Sequence, residues 1–246
     1  MIAHAVADGR LKVEIAALFD QDPSRSRDLA NLLDNPSLSK TDFESFITTD
    51  LDLVVEAASP EAVVVYAERV VGAGRDLVVL SVGALLDRGL RERVVEAAER
   101  EGVRLFIPSG AIGGLDALKG ASFAGFQSVI LTTTKNPRSL PEGKGVKSRT
   151  VIYEGDAEDA VLKFPKNINV AAAIALATGT NPEVRIVADP DVERIQHKVE
   201  ARGSFGRMTF TVENLPSPDN PKTSYLAALS VIKTIQSRNE SISIGT

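Results

Sequence analysis

Apolar positions in the first half of the chain fall in short unbroken runs separated by amphipathic stretches, the order that builds a parallel sheet with helices on its faces. Val13–Phe19, Leu51–Glu56, Leu77–Ser81 and Arg104–Ile107 read as strands. Asp22-Pro23 and Ser59-Pro60 each join an N-cap to a proline at the first helical position, which predicts helices reaching Leu33 and Val71. Arg88–Arg100 has the spacing of a charged amphipathic helix. From Gln127 the pattern changes to period two. Ser128–Thr134, Arg149–Glu154, Val184–Ala188, Arg194–Arg202 and Arg207–Glu213 alternate as strands, the last two joined by the hairpin loop Gly203-Ser204-Phe205-Gly206. A last helix is predicted from Asn220 to Gln236, with Tyr225, Leu229, Ile232 and Gln236 on one face.

These patterns predict an α/β fold: a Rossmann-like parallel sheet whose first strand is missing, then a second α+β domain rich in antiparallel strands. The expected division is a dinucleotide-binding domain over 1–110, a substrate and dimerisation domain over 111–219, and a C-terminal helix over 220–246 packing back toward the first domain. A dinucleotide fold opens on a strand and a glycine turn, because only glycine lets backbone N–H groups close on a pyrophosphate. No such turn stands at the front of this sequence. Gly72-Ala73-Gly74 follows a helix and precedes a strand, the reverse of the needed context, and Met1–Asp8 reads as the body of a helix. Two accounts of this are open: a start placed at an internal methionine, which the intact remainder favours, and a shortened, impaired variant.

The run Asn169-Val170-Ala171-Ala172-Ala173-Ile174-Ala175-Leu176-Ala177 has no hydrophilic face, the mark of a helix buried all round. Its first turn is then expected inside as well. With Asn167 or Asn169 as cap and Lys166 adding positive charge, such a turn would receive a carboxylate or a cofactor amide. A capped core helix with no ligand is the plainer account of the same residues.

The chain has 246 residues, enough for one large or two modest domains, and its 43% hydrophobic and 25% charged residues are ordinary for a globular protein. A net charge of −5 argues against a nucleic-acid partner. Without cysteine, disulfides, thiolate metal sites and a thiol nucleophile are excluded. Two distant histidines, His4 and His197, make a histidine-rich metal site improbable, so no metal is expected. No apolar run is long enough to span a bilayer and no signal peptide opens the chain, so a cytoplasmic protein without a membrane partner is expected.

Candidate chemistry is confined to a few positions. Ser109-Gly110-Ala111-Ile112-Gly113-Gly114 lies between a strand and a helical stretch, at the carboxyl edge where ligands bind in such sheets, although a tight turn without ligand fits equally. Asp20 closes the strand whose acid accepts hydrogen bonds from a ribose hydroxyl, which favours NAD, while Arg25 and Arg27 would tolerate the extra phosphate of NADP. Ala58 and Ser81, at the ends of two further strands, complete the cofactor set. Strand parity puts His197 on the face of Ile195, Val199 and Ala201, pointing inward. An imidazole near its unperturbed pKa of about 6.5 exchanges protons at neutral pH, and a buried structural histidine is the competing account.

Four stretches, taken together and in order, resemble the L-aspartate dehydrogenase family: Ser109–Gly114, Phe164–Ala172, Ala188-Asp189-Pro190 with His197 downstream, and Asn220–Ser230. That resemblance implies an oxidoreductase with an N-terminal domain for NAD or NADP and a second domain that forms a homodimer. It implies oxidative deamination of L-aspartate to iminoaspartate or oxaloacetate, feeding NAD biosynthesis. By motif, Ala111 and Asn169 match cofactor contacts and His197 the catalytic histidine, with Lys166 and Asn167 placed to orient nicotinamide or substrate carboxylate. The family's opening strand and glycine turn have no counterpart here. A related dehydrogenase or reductase of another small dicarboxylic metabolite, of the homoserine dehydrogenase or dihydrodipicolinate reductase type, and a non-catalytic variant stay open beside it.

Overall fold

A computed structural model describes residues 1–164, 169–220 and 223–245. The chain forms two compact units, one from Met1–Pro108 with Val231–Glu240, the other from Ser109–Ser230 with the chain from Ser241 onward.

The first unit runs α1 (Ile2–Ala7), α2 (Pro23–Leu32), α3 (Phe43–Ile47), β1 (Leu53–Glu56), α4 (Pro60–Gly72), β2 (Asp76–Val79), α5 (Arg88–Glu101) and β3 (Leu105–Phe106). Its three strands are parallel in the order β1-β2-β3, with Leu53 opposite Asp76 and Leu77 opposite Leu105. The predicted helix entries are in place: the Asp22 carboxylate accepts from Ser24 N–H at 3.0 Å and Ser59 Oγ from Ala62 N–H at 3.2 Å, each ahead of a proline. Caps of this kind contribute about 1 kcal/mol each. Val63, Ala67, Val70 and Val71 of α4 and Val94 and Ala97 of α5 are buried, as are Leu77, Val78 and Val79 of the middle strand. Gly72-Ala73-Gly74 simply ends α4, Gly74 taking φ +75° in the turn to β2.

Val13–Phe19 departs from expectation. It is extended but joins no ladder; its one bridge sets Leu18 beside Ser39, with Leu18 N–H donating to Leu38 O at 2.7 Å and Lys40 N–H to Leu18 O at 2.8 Å. A strand needs a neighbour to satisfy its backbone groups. β1 is an edge of the sheet, and a cavity of about 1250 Å³ is lined jointly by residues 12–21, by β1, and by Val63, Ala67 and Val70 of α4.

The second unit comprises α6 (Leu115–Ala121), β4 (Phe126–Lys135), β5 (Thr150–Asp156), α7 (Ala157–Lys163), α8 (Asn169–Thr178), β6 (Glu183–Ala188), β7 (Ile195–Gly203) and β8 (Gly206–Asn214), followed by α9 (Tyr225–Ser237). The sheet order is β5-β6-β4-β7-β8, and only the β4/β6 pair is parallel. Inward residues Val129, Leu131, Val184, Ile186, Val199 and Ala201 pack in one core with Leu118 of α6, Ala157 and Ala160 of α7, and Ala171 and Ile174 of α8. Burial of α8 is complete from Ala171 to Ile174, while Asn169 at its start is exposed, so the helix head reaches solvent instead of lying inside. From Val231 onward α9 counts with the first unit, where Val231 and Ile235 pack against Ala5, Leu11 and Val78. Among the described residues no helix is long and apolar enough to cross a membrane.

The two extended segments of the first unit should differ sharply in protection. By hydrogen–deuterium exchange, amides of Val13–Ala17 should exchange at least about a hundredfold faster than those of Leu77–Val79, since local opening spans the range from near zero to the global stability. Equal protection would mean that Val13–Ala17 has found a backbone partner.

Candidate active site

Side chains along a strand alternate between faces, so β4 turns Val129, Leu131, Thr133 and Lys135 inward in one row. On the antiparallel neighbour β7, Ala201, Val199 and His197 form the matching row, with His197 directly opposite Thr133. The two rows begin in the apolar core and end in three polar groups that are nevertheless buried: Thr133 is 4% exposed, His197 7% and Lys135 9%. Thr133 Oγ1 and His197 Nδ1 lie 3.0 Å apart and share a hydrogen bond. One ring nitrogen is thus engaged by the fold, and the hydroxyl fixes the ring plane.

Burial sets the charge state. The sequence alone predicts an imidazole near its ordinary pKa; the structure moves His197 from 6.5 down to about 4, chiefly through desolvation and secondarily through the positive charge of Lys135. The ring is therefore neutral at physiological pH. Desolvation also lowers the Lys135 ammonium from its ordinary value. Asp189, in the turn after β6, donates its N–H to Lys135 O at 2.9 Å, while its buried carboxylate binds Arg149 Nη1 at 3.0 Å and Asp191 N–H at 3.0 Å.

Asn214 brings the glycine-bearing loop to the same end of the sheet. It closes β8, one inward position beyond Val212, which stands opposite His197. Its buried amide donates to Ala111 O at 3.0 Å, and its carbonyl oxygen accepts from Ser224 Oγ at 2.6 Å. Gly110 N–H donates to Ser230 Oγ at 3.1 Å, so two of the four resembling stretches are joined by side-chain hydrogen bonds. Gly114 takes φ +76°, and a Cβ there would come within 2.5 Å of the Phe210 ring. The close approach that this glycine permits is to protein.

In the first unit Glu56, at the carboxyl end of β1, gathers the ends of two strands. Its carboxylate accepts from Ala58 N–H at 2.8 Å, Leu80 N–H at 3.1 Å, and Ser81 N–H at 2.9 Å and Oγ at 2.8 Å. Ala58 and Ser81 are thereby linked, and Ala58 and Asp20 line the cavity beside β1. One Asp20 oxygen accepts from Asp22 N–H at 2.8 Å. Asn169 stands exposed at the head of α8. Lys166 and Asn167 lie outside the described residues. Thr133, Lys135, Asn214 and Glu56 were not singled out from sequence, though the first two carry a legible signal: polar residues at the inward parity of an otherwise apolar row. Among the described residues no group of three histidines or acids is placed to hold a metal ion.

The family model described as "Aspartate dehydrogenase, C-terminal" matches residues 116–238, and that of the "Homoserine dehydrogenase, NAD binding domain" matches 1–108. The L-aspartate dehydrogenase of Methanothermobacter thermautotrophicus is 46% identical over 246 residues, covering all of this chain and 94% of that protein. The chain belongs to the L-aspartate dehydrogenase family. A second relative of that name, from Archaeoglobus fulgidus, is 47% identical over 81% of each chain. The crystal structure of aspartate dehydrogenase from Thermotoga maritima superposes with a TM-score of 0.72 at 35% identity, covering 80% of this chain and 79% of that one. GenD2 of gentamicin A biosynthesis, solved in complex with NAD, shares the fold at 14% identity and a TM-score of 0.55, covering 99% of this chain and 84% of that one.

The chain is thus an oxidoreductase with an NAD-binding domain, and its cofactor is NAD or NADP. The cavity lining beside β1 includes Asp20. It contains no glycine, so the lining residues offer the pyrophosphate no close backbone turn.

Two outcomes follow from this geometry. His197 takes up a proton at about 4 when folded and at its ordinary 6.5 when unfolded, so as pH falls from 6.5 to 4 the unfolded chain binds the proton first and stability declines. Across that window the wild type should lose about 3 kcal/mol more than His197→Gln, read by urea denaturation; parallel profiles would count against a buried neutral ring. Gly114→Ala should cost about 2–4 kcal/mol in the same assay, through left-handed strain and displacement of Phe210.

Proposed function

We propose that this chain oxidises L-aspartate to iminoaspartate, with water then releasing ammonia and oxaloacetate, and that His197 is its acid–base residue. The observation that carries the reading is the neutral, inward His197 held through Nδ1 by Thr133 at the polar end of an otherwise apolar sheet face. A ring that donates its Nδ1 hydrogen to Thr133 Oγ1 presents a bare Nε2, the form that accepts a proton. NAD or NADP supplies the hydride acceptor when bound. The side chains of this chain have the remaining tasks: removing the ammonium proton that blocks oxidation, and later moving the proton of the attacking water.

A pKa near 4 suits a resting site without substrate better than a working base. Aspartate brings two carboxylates, and negative charge beside the ring raises its proton affinity back toward neutrality. Binding and base strength are thus coupled, and the ring becomes a competent acceptor only when the anion is present. The family names and the full-length similarity support aspartate as the substrate. Asp20 and Arg25 both line the cavity, one favouring NAD and the other compatible with NADP. A homodimer and delivery of the imine to NAD biosynthesis belong to the same reading.

The test is turnover with L-aspartate followed by absorbance of the reduced nicotinamide. His197→Ala should lower kcat at least about a hundredfold and leave cofactor affinity within about twofold. Undiminished turnover would remove His197 from the mechanism, and a preference for another amino acid would replace aspartate as substrate.

A further inference from the structure

The helix α2 lines two different openings with two different rows of side chains. Residues two apart on a helix point about 200° away from each other. Arg25 and Leu29 line the cavity beside β1, while Pro23, Arg27 and Asn31, four residues apart in a row, line a second pocket of about 200 Å³. Across that pocket stand Ser39, Lys40 and Thr41. Arg27, which the sequence groups with Arg25 near Asp20, thus serves the other opening.

This second pocket is built from donors. Its lining holds two cations, an amide and hydroxyls, and no carboxylate. The neighbouring acids are engaged elsewhere: Asp22 accepts from Ser24 N–H at 3.0 Å and pairs with Arg25 at 3.6 Å, and Asp42 accepts from Ser45 N–H at 2.8 Å and from Thr41 Oγ1 at 3.0 Å. Among the described residues the Arg27 guanidinium and the Asn31 amide have no hydrogen-bond or ion-pair partner, and the Lys40 ammonium donates to Ser37 O at 3.1 Å without meeting an acid. Ser39 Oγ lies 2.8 Å from the buried Ser26 Oγ, which in turn lies 3.3 Å from Pro23 O. Each hydroxyl has one hydrogen, and giving that of Ser26 along the shorter contact leaves that of Ser39 for the pocket. In a chain of net charge −5 the pocket is a local reversal of sign.

We propose that this pocket is a seat for a phosphate dianion, either inorganic phosphate or the monoester group of a small metabolite. Arg27 supplies a forked pair of N–H donors, Lys40 a second positive charge, and Ser39 and Asn31 neutral donors. Donors of mixed charge around a space the size of several waters suit a tetrahedral anion that offers an oxygen in each direction. The seat is independent of the dehydrogenase reading, since it lies across α2 from the cavity that holds Asp20. Its occupant would tie α2 to the segment whose Lys40 N–H donates to Leu18 O at 2.8 Å.

Isothermal titration of the full chain with sodium phosphate, at pH 7.5 and constant ionic strength set by chloride, should show one site with a Kd of about 1 mM. Methyl phosphate should bind within about threefold of that value. Arg27→Met and Lys40→Met should each weaken both ligands at least about tenfold, the size of a lost charge-assisted contact. Arg25→Met, in the other row of α2, should change neither by more than about twofold. Arg27→Met removes no contact within the protein, so in chloride it should melt within about 2 °C of the wild type, which separates a lost ligand contact from lost folding. Phosphate binding that is absent, or that survives Arg27→Met, would overturn the seat. The compound 2′-phosphoadenosine tests a nucleotide as the source of the phosphate, and it should bind no more tightly than methyl phosphate. Tighter binding that Asp20→Asn removes would assign the phosphate to a nucleotide in the cavity beside β1 and overturn the seat as well.

Discussion

Two positively inclined groups share the dry end of one sheet face. A period-two strand that is apolar at Val129 and Leu131 must keep the next inward positions inside as well, and there it carries Thr133 and then Lys135. Opposite them β7 supplies His197. Neither group can shed its charge problem into water, so the ring yields its proton and stays neutral beside the ammonium. The reading of His197 as a proton acceptor starts from that electrostatic constraint.

The surrounding structure serves to hold this end of the sheet in shape. Asn214 uses both ends of its amide, one to Ala111 and one to Ser224, and so pins two loops distant in sequence to the last inward position of β8. Asp189 steadies the end of β4 through its own backbone while its carboxylate is neutralised by Arg149. Glu56 plays the comparable part in the first unit, where one carboxylate collects the backbone ends of β1 and β2. In each case a buried or half-buried polar side chain satisfies at least one backbone group near the end of a strand, and Glu56 satisfies three.

Much of the fold was legible in the sequence because its signals are local. Asp22-Pro23 and Ser59-Pro60 marked helix starts correctly, since cap and proline act within one turn. The alternation of Ser128–Thr134 and Arg194–Arg202 marked strands, and parity alone turned His197 inward. Val13–Phe19 had the composition of a strand but forms no ladder, because strand formation depends on a neighbour that composition does not report. Asn169 began its helix as read, yet stands in solvent, because the apolar pattern describes the helix body and says little about its first residue.

By itself the sequence determined the two-part α/β architecture, the inward orientation of His197, and the family, since helix caps, strand parity and ordered motifs depend on residues near one another along the chain. Only the tertiary structure decided that Thr133 and Lys135 stand beside that histidine, that its proton affinity is depressed, and that Asn214 joins the glycine-bearing loop to the Ser224 turn. These depend on strand register, which sets residue 133 against residue 197, and on exclusion of water from a face that many distant residues enclose together.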